Sequence, residues 1–241
     1  MANQLTAYGK RVEYEVAKQS LESQGIIVTD DNLSQSYLRF ESTLAQNRSS
    51  YKFPVLVTQQ NAGTTTPNTV KQLNQQDAFY CTEIGYFIKV VQKQGSTNRD
   101  ILEYVPYTYP SQGMSEDGTV FAAYGYKLWS GEIGLTVNGD VIIPGMDLQR
   151  FLYIPEGQKD VWNGPFPMST FYRGQDQYDG SSDAFYPLAP EIVLLGNDKI
   201  DLSVTFPDTI NNAIGADATV NMVIMVRGLL AQNVTKVSSN T

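Results

Sequence analysis

Histidine is absent from this chain of 241 residues. That one absence removes the Ser-His-Asp and Cys-His nucleophile systems, the histidine-containing zinc sites and the usual protonation switch near neutral pH. Cysteine occurs once, at Cys81, which leaves no intrachain disulfide and no thiolate cluster for a metal. Charge is sparse, at 17% of residues, and acidic: Lys plus Arg is 17 against Asp plus Glu at 25, a formal net charge of -8. A surface that neutralises phosphates carries the opposite sign, so no direct contact with nucleic acid is expected. The richest apolar run, Val220 to Val226, is interrupted by Asn221 and falls far short of the roughly 18 residues a membrane-spanning helix needs. Residues 1–10 contain no basic stretch leading into an apolar one, which reads as a protein made and folded in a cytosol. Walker loops, G-x-S-x-G elbows and dinucleotide fingerprints are missing, so no enzyme activity and no cofactor are expected.

What is present divides into a helical start and a β remainder. From Leu5 to about Gln24, Leu5, Tyr8, Val12 and Val16 recur at three- and four-residue spacing, with Ala17 and Leu21 on a neighbouring row, the pattern of an amphipathic helix ended by Gly25. A second helix is predicted where Asp30, Asp31 or Asn32 can cap and Leu33, Tyr37, Phe40 and Leu44 fall at i, i+4, i+7 and i+11. Residues 1–50 are therefore expected to form an N-terminal helical arm.

After Ser50 the texture changes to short segments rich in Val, Ile, Tyr and Phe, bounded by Gly, Pro, Asn and Asp, giving roughly nine or ten strands over residues 51–241. Asn138-Gly139 between two apolar runs predicts a hairpin with a type I′ turn, because both central positions need positive φ. Gly196-Asn197-Asp198 predicts a second turn, leading into Ile200, Leu202, Val204 and Phe206, whose alternation with Asp201, Ser203 and Thr205 marks a strand with one wet face. Around Val220 to Val226 both alternating sets are largely apolar, so that strand is expected to be central and covered on both sides.

Candidate chemistry is thin. Asp176, Asp179 and Asp183 lie in a carboxylate-dense stretch that could offer oxygen ligands to Ca²⁺, but their spacing is not that of an EF-hand and a solvated turn is the preferred reading, so no metal is assigned. Glu116-Asp117 could in principle serve as a glycosidase acid and base, yet solubilising carboxylates explain them as well. Cys81 sits among strand formers with no basic neighbour to stabilise a thiolate and reads as a core residue. The segment 156–190 is a long aromatic insertion carrying Trp162, Phe166, Phe171, Tyr172, Tyr178, Phe185 and Tyr186 among Gly, Pro and Asp, suited to a protein interface and, as the alternative, to stacking on sugars.

Residues 134–155 (GLTVNGDVIIPGMDLQRFLYIP) and 185–207 (FYPLAPEIVLLGNDKIDLSVTFP) resemble the strand-turn-strand style of jelly-roll virion proteins of tailless icosahedral bacteriophages, over about residues 50–230. The resemblance implies a mainly β, jelly-roll-like antiparallel sandwich or barrel, single or double, preceded by N-terminal amphipathic helices. It implies a capsid protein of the virion that assembles with copies of itself into trimers or larger forms and with other virion proteins. Contact of the N-terminal helix with an internal membrane is part of the same expectation. The interface residues expected are Tyr8, Val12 and Val16 on the helix and Trp162, Phe166 and Tyr172 in the insertion. The competing reading is a carbohydrate- or receptor-binding β-sandwich module of a virion fibre.

Overall fold

The computed structural model describes residues 2–45, 47–59, 70–94, 99–105, 126–151, 185–210 and 218–234, with side chains in the first helix described from Glu13 onward. Helix α1 spans Ala2–Ser23. Nine strands follow among the described residues: β1 (Leu33–Thr43), β2 (Arg48–Phe53), β3 (Ala78–Gln94), β4 (Arg99–Val105), β5 (Glu132–Val137), β6 (Asp140–Asp147), β7 (Phe185–Leu195), β8 (Ile200–Ile210) and β9 (Ala218–Ala231).

They form two antiparallel sheets in a sandwich-like arrangement. One runs β1-β9-β3-β4, with β7 also on β3; the other runs β2-β8-β5-β6. Strand β3 is long enough to hold two partners in series on one edge, β7 opposite Ala78–Gly85 and β4 opposite Ile88–Gln94. On its other edge it pairs with β9 from Ala78↔Ala231 to Gln92↔Ala218. The ladder slips at Cys81/Glu83, and Gly228 opposite Cys81 is what permits it, since a Cβ there would run into the Tyr80 carbonyl.

A single apolar core fills the space between the sheets. Leu38, Phe40, Phe79, Tyr86, Ile88, Met222 and Ile224 from the first sheet meet Tyr51, Phe53, Ile133, Leu202, Val204 and Phe206 from the second. Both of its buried tyrosine hydroxyls find carbonyls: Tyr86 donates to Leu128 at 3.0 Å, and Tyr51 shares its proton between Ala45 and Arg48 at 3.0 and 3.1 Å. Burial pushes both phenols above their usual range, most strongly Tyr86.

The two turns form as expected. Asn138 and Gly139 take φ of 54° and 94°. The Asn138 side chain then joins the turns together: its Oδ1 accepts from the Lys199 N–H and its Nδ2 donates to Asp198 Oδ1, both at 2.8 Å. Along β8, Ile200, Leu202, Val204 and Phe206 are buried while Asp201, Ser203 and Thr205 face outward, and β9 is central between β1 and β3.

One expectation is overturned. The predicted second helix is strand β1, paired with β9 residue for residue from Leu33↔Ala231 to Thr43↔Asn221. The helical spacing of Leu33, Tyr37, Phe40 and Leu44 arises because both faces of β1 carry apolar residues: Leu38, Phe40 and Leu44 enter the core, and Leu33 joins a separate cluster outside the sheet. A strand apolar on both faces imitates a helix stripe, and the Ser, Thr, Tyr and Phe content is what favours the extended form. The sandwich therefore starts at Leu33, inside the segment read as a helical arm. The expected strand at 151–154 instead starts with a 3-10 turn, Leu148–Phe151, and residues 152–154 lie outside the described residues. The segment read as an aromatic insertion is also shorter at its end than expected: residues 185–190 open strand β7, with Phe185 and Leu188 buried, and Pro190 falls where β7 slips against β3, so its missing N–H breaks no ladder bond.

Candidate assembly surface

Helix α1 is fixed to the sandwich by its last turns. Ala17 and Leu21 are fully buried, and Leu21 packs with Ile26, Val28, Leu33, Ala78, Leu195 and Ala231, with Tyr14 against the same cluster. Gly25, at φ 76°, ends the helix, and the Ile26 N–H returns to the Leu21 carbonyl at 3.2 Å. A salt bridge from Lys18 Nζ to Asp30 Oδ1 at 2.9 Å closes this contact, beside the Tyr14 hydroxyl, which donates to the Asp30 carbonyl at 3.3 Å. Hydrogen bonding to Lys18 holds the Asp30 carboxyl below the usual carboxylate range and raises Lys18 above its ordinary value.

Val16 projects from another side of the helix and is 45% exposed. Tyr8 and Val12 fall on the Val16 side by helical spacing, and their side chains lie outside those described. Among the described side chains the helix thus separates Ala17 and Leu21, committed to its own sandwich, from Val16, which is largely exposed. Trp162, Phe166 and Tyr172 lie outside the described residues, as do Asp176, Asp179, Asp183, Glu116 and Asp117.

Two features were not legible as sites. At the tip of the β5–β6 hairpin, Val141 and Ile142 are 64% and 43% exposed on edge strand β6, whose register shifts twice and which carries Pro144, devices that discourage another strand from adding there. On the outer face of the five-stranded sheet, Glu41, Lys89 and Asn221 are buried together. Glu41 Oε1 takes Arg39 at 2.6 Å, and Glu41 Oε2 takes Lys89 Nζ at 3.0 Å and Asn221 Nδ2 at 3.4 Å. The one sequence signal for this group was polar residues at positions where the outward face of β9 and β3 is otherwise apolar.

Among the described residues no group of His, Cys, Asp and Glu could hold a metal ion. Cys81 is buried, and burial pushes its thiol far above the usual value, which suits a packed core residue. Between the sheets there is a void of about 20 Å³ lined by Phe40, Val55, Cys81, Leu188 and Leu202, room for no ligand larger than water. No helix among the described residues is long and apolar enough to cross a membrane. No protein-family model, curated protein or solved structure matches the chain.

Proposed function

We propose that this chain is a non-enzymatic virion structural protein, a jelly-roll capsid protein that assembles with copies of itself. The observation that carries the reading is the pairing of the strands. With β4 set aside as an addition after β3, the remaining eight pair first with last, second with seventh, third with sixth and fourth with fifth: β1 with β9, β2 with β8, β3 with β7, β5 with β6. This order supports reading the fold as one antiparallel ribbon rolled into two sheets, a single jelly roll, an architecture used by capsid and lectin domains. The close packing of the described residues between the sheets favours a structural tile over a small-molecule binder, since a ligand-holding barrel keeps a cavity.

In this reading the sandwich is the tile of the shell. The Val16 row of α1, with Tyr8 and Val12, and the insertion bearing Trp162, Phe166 and Tyr172 make contacts with neighbouring subunits, other virion proteins or an internal membrane. The test is the absolute mass in solution by light scattering over a concentration series, with negative-stain images of the same fractions. Trimers or larger closed forms are expected, reduced to monomer by Val12→Asp combined with Val16→Asp. A monomer at every concentration, or undiminished assembly by the double variant, overturns the respective claim.

A further inference from the structure

Strands β3 and β9 carry, directly opposite one another, a lysine and an asparagine: Lys89 is the register partner of Asn221. Cross-strand partners hold their Cβ atoms about 5 Å apart, within reach of a bond between a long amine and a short carboxamide. Both side-chain nitrogens converge on one atom, Glu41 Oε2, at 3.0 Å from Lys89 Nζ and 3.4 Å from Asn221 Nδ2. Arg39 holds the other carboxylate oxygen at 2.6 Å and so fixes which way the carboxylate faces. All three residues are nearly water-free, with 4%, 7% and 7% exposure for Lys89, Asn221 and Glu41, on the outer face of a sheet. Among the described residues the Asn221 Oδ1 is buried with no hydrogen-bond partner. A purely structural ion pair between Glu41 and Lys89 has no use for such an oxygen, and a Val or Thr at 221 would fill the position without it.

We propose that Lys89 and Asn221 condense, without any other protein, into an amide cross-link between β3 and β9, with Glu41 as the proton carrier. Glu41 accepts a proton from the Lys89 ammonium, and the freed nitrogen lone pair attacks Asn221 Cγ to form the new C–N bond. Glu41 returns the proton to Nδ2 and takes one from the former lysine nitrogen. The Cγ–Nδ2 bond breaks, the carbonyl reforms, and ammonia leaves and carries off the proton from Glu41 as ammonium. The sum is lysine ammonium plus carboxamide giving secondary amide plus ammonium, with Glu41 again a carboxylate and nothing oxidised or reduced. Fixed proximity replaces an external catalyst, and exclusion of water protects the attacking amine from solvation. The bond would tie together the two longest strands of the sandwich, adding resistance to strand separation in a protein that holds no disulfide.

The test is the intact mass of the full chain under denaturing conditions, beside Lys89→Met measured the same way, with tandem mass spectrometry of the digest. The wild type is expected one ammonia lighter than its sequence predicts, with the deficit carried by a branched peptide joining residues 89 and 221, and Lys89→Met and Asn221→Ala at full mass. Glu41→Gln is expected to lose the link or form it far more slowly. A wild type at full mass overturns the proposal, as does a deficit that survives Lys89→Met or maps elsewhere, for instance to cyclisation at another asparagine. A link formed at the wild-type rate in Glu41→Gln overturns the role of Glu41.

Discussion

The two sheets share one core but have different outer faces. On the four-stranded sheet the outward residues of β8 are Asp201, Ser203 and Thr205, and the ion pair there, Lys52 with Asp201 at 3.6 Å, stands in solvent with side chains 80% and 46% exposed. On the five-stranded sheet part of the outward face, along β3 and β9, is a second buried layer. Val223 is fully buried, Phe87 packs with Phe185, and the ion pair there, Lys89 with Glu41 at 3.0 Å, has side chains 5% and 1% exposed. Helix α1 closes one end of the same face over Ala78, Leu195 and Ala231. A sheet that needs only one dry face can write the other in polar residues. A charge on a covered face needs a partner close by, and here the Glu41 carboxylate takes Arg39, Lys89 and the Asn221 carboxamide N–H.

Removing one acid from each face should separate the two most sharply. Glu41→Ala takes away the carboxylate that Arg39, Lys89 and Asn221 share in a dry layer and is expected to cost about 3–5 kcal/mol in urea unfolding. Asp201→Ser breaks a solvated pair and should cost less than about 1 kcal/mol. Equal losses would mean that the outer face of the five-stranded sheet is energetically no drier than its counterpart. A middle-sized effect is expected where the sheets are joined. The Asn138 side chain ties the β5–β6 hairpin of one sheet to the turn between β7 and β8, which belong to different sheets. Asn138→Ala loses both hydrogen bonds and places alanine at φ 54°, for about 2 kcal/mol. Asn138→Gly restores the backbone preference and should recover part of that loss; no recovery would show that the hydrogen bonds carry it all.

The same contrast explains what could be read from the residues alone. Strand β8 was legible because it has one wet face, and a period of two is unambiguous when the second set of residues is polar. Strand β9 was legible as central because its two sets are both apolar around a solitary Asn221. Strand β1 was misread because Leu33 and Tyr37 on one face and Phe40 and Leu44 on the other interleave into helical spacing, and nothing local reveals that part of the outer face of its sheet is dry. Asn138-Gly139 was legible because positive φ is a property of the residues themselves. The Glu41, Lys89 and Asn221 group was not, since it draws on three strands far apart in the chain and is made adjacent by register. Of the expected interface residues only Val16 has a described side chain, and its exposure distinguishes it from Ala17 beside it, a separation the two apolar rows of α1 already hinted at.

The smallest effect should be found where the covered face meets solvent, at the edge of the α1 contact. Asp30 is held below the ordinary carboxylate value by Lys18, so its contribution is present above the unfolded value of about 3.9 and is lost as pH falls through the folded one. Lys18 is raised by its hydrogen bond to Asp30, and Tyr14 is raised by burial and then by the charge of Asp30. Their contributions are present below their unfolded values of about 10 and are lost as pH rises through the folded ones. The helix contact should therefore be flat across neutral pH and weaken at both extremes. Because Asp30 is 78% exposed, added salt should shrink the effect. Amide hydrogen exchange reads this region by region, with acid chemistry of exchange corrected for. On acidification the protection of α1 from Tyr14 to Ser23 should fall while that of β9 holds, because Leu21 and Ala17 still fix the helix loosely and β9 has a ladder on each side. Asp30→Asn should remove the acid step and leave the alkaline one reduced. If α1 and β9 lose protection together, the helix is no separate layer on the sheet but part of the same cooperative unit, and the dry outer face extends through it.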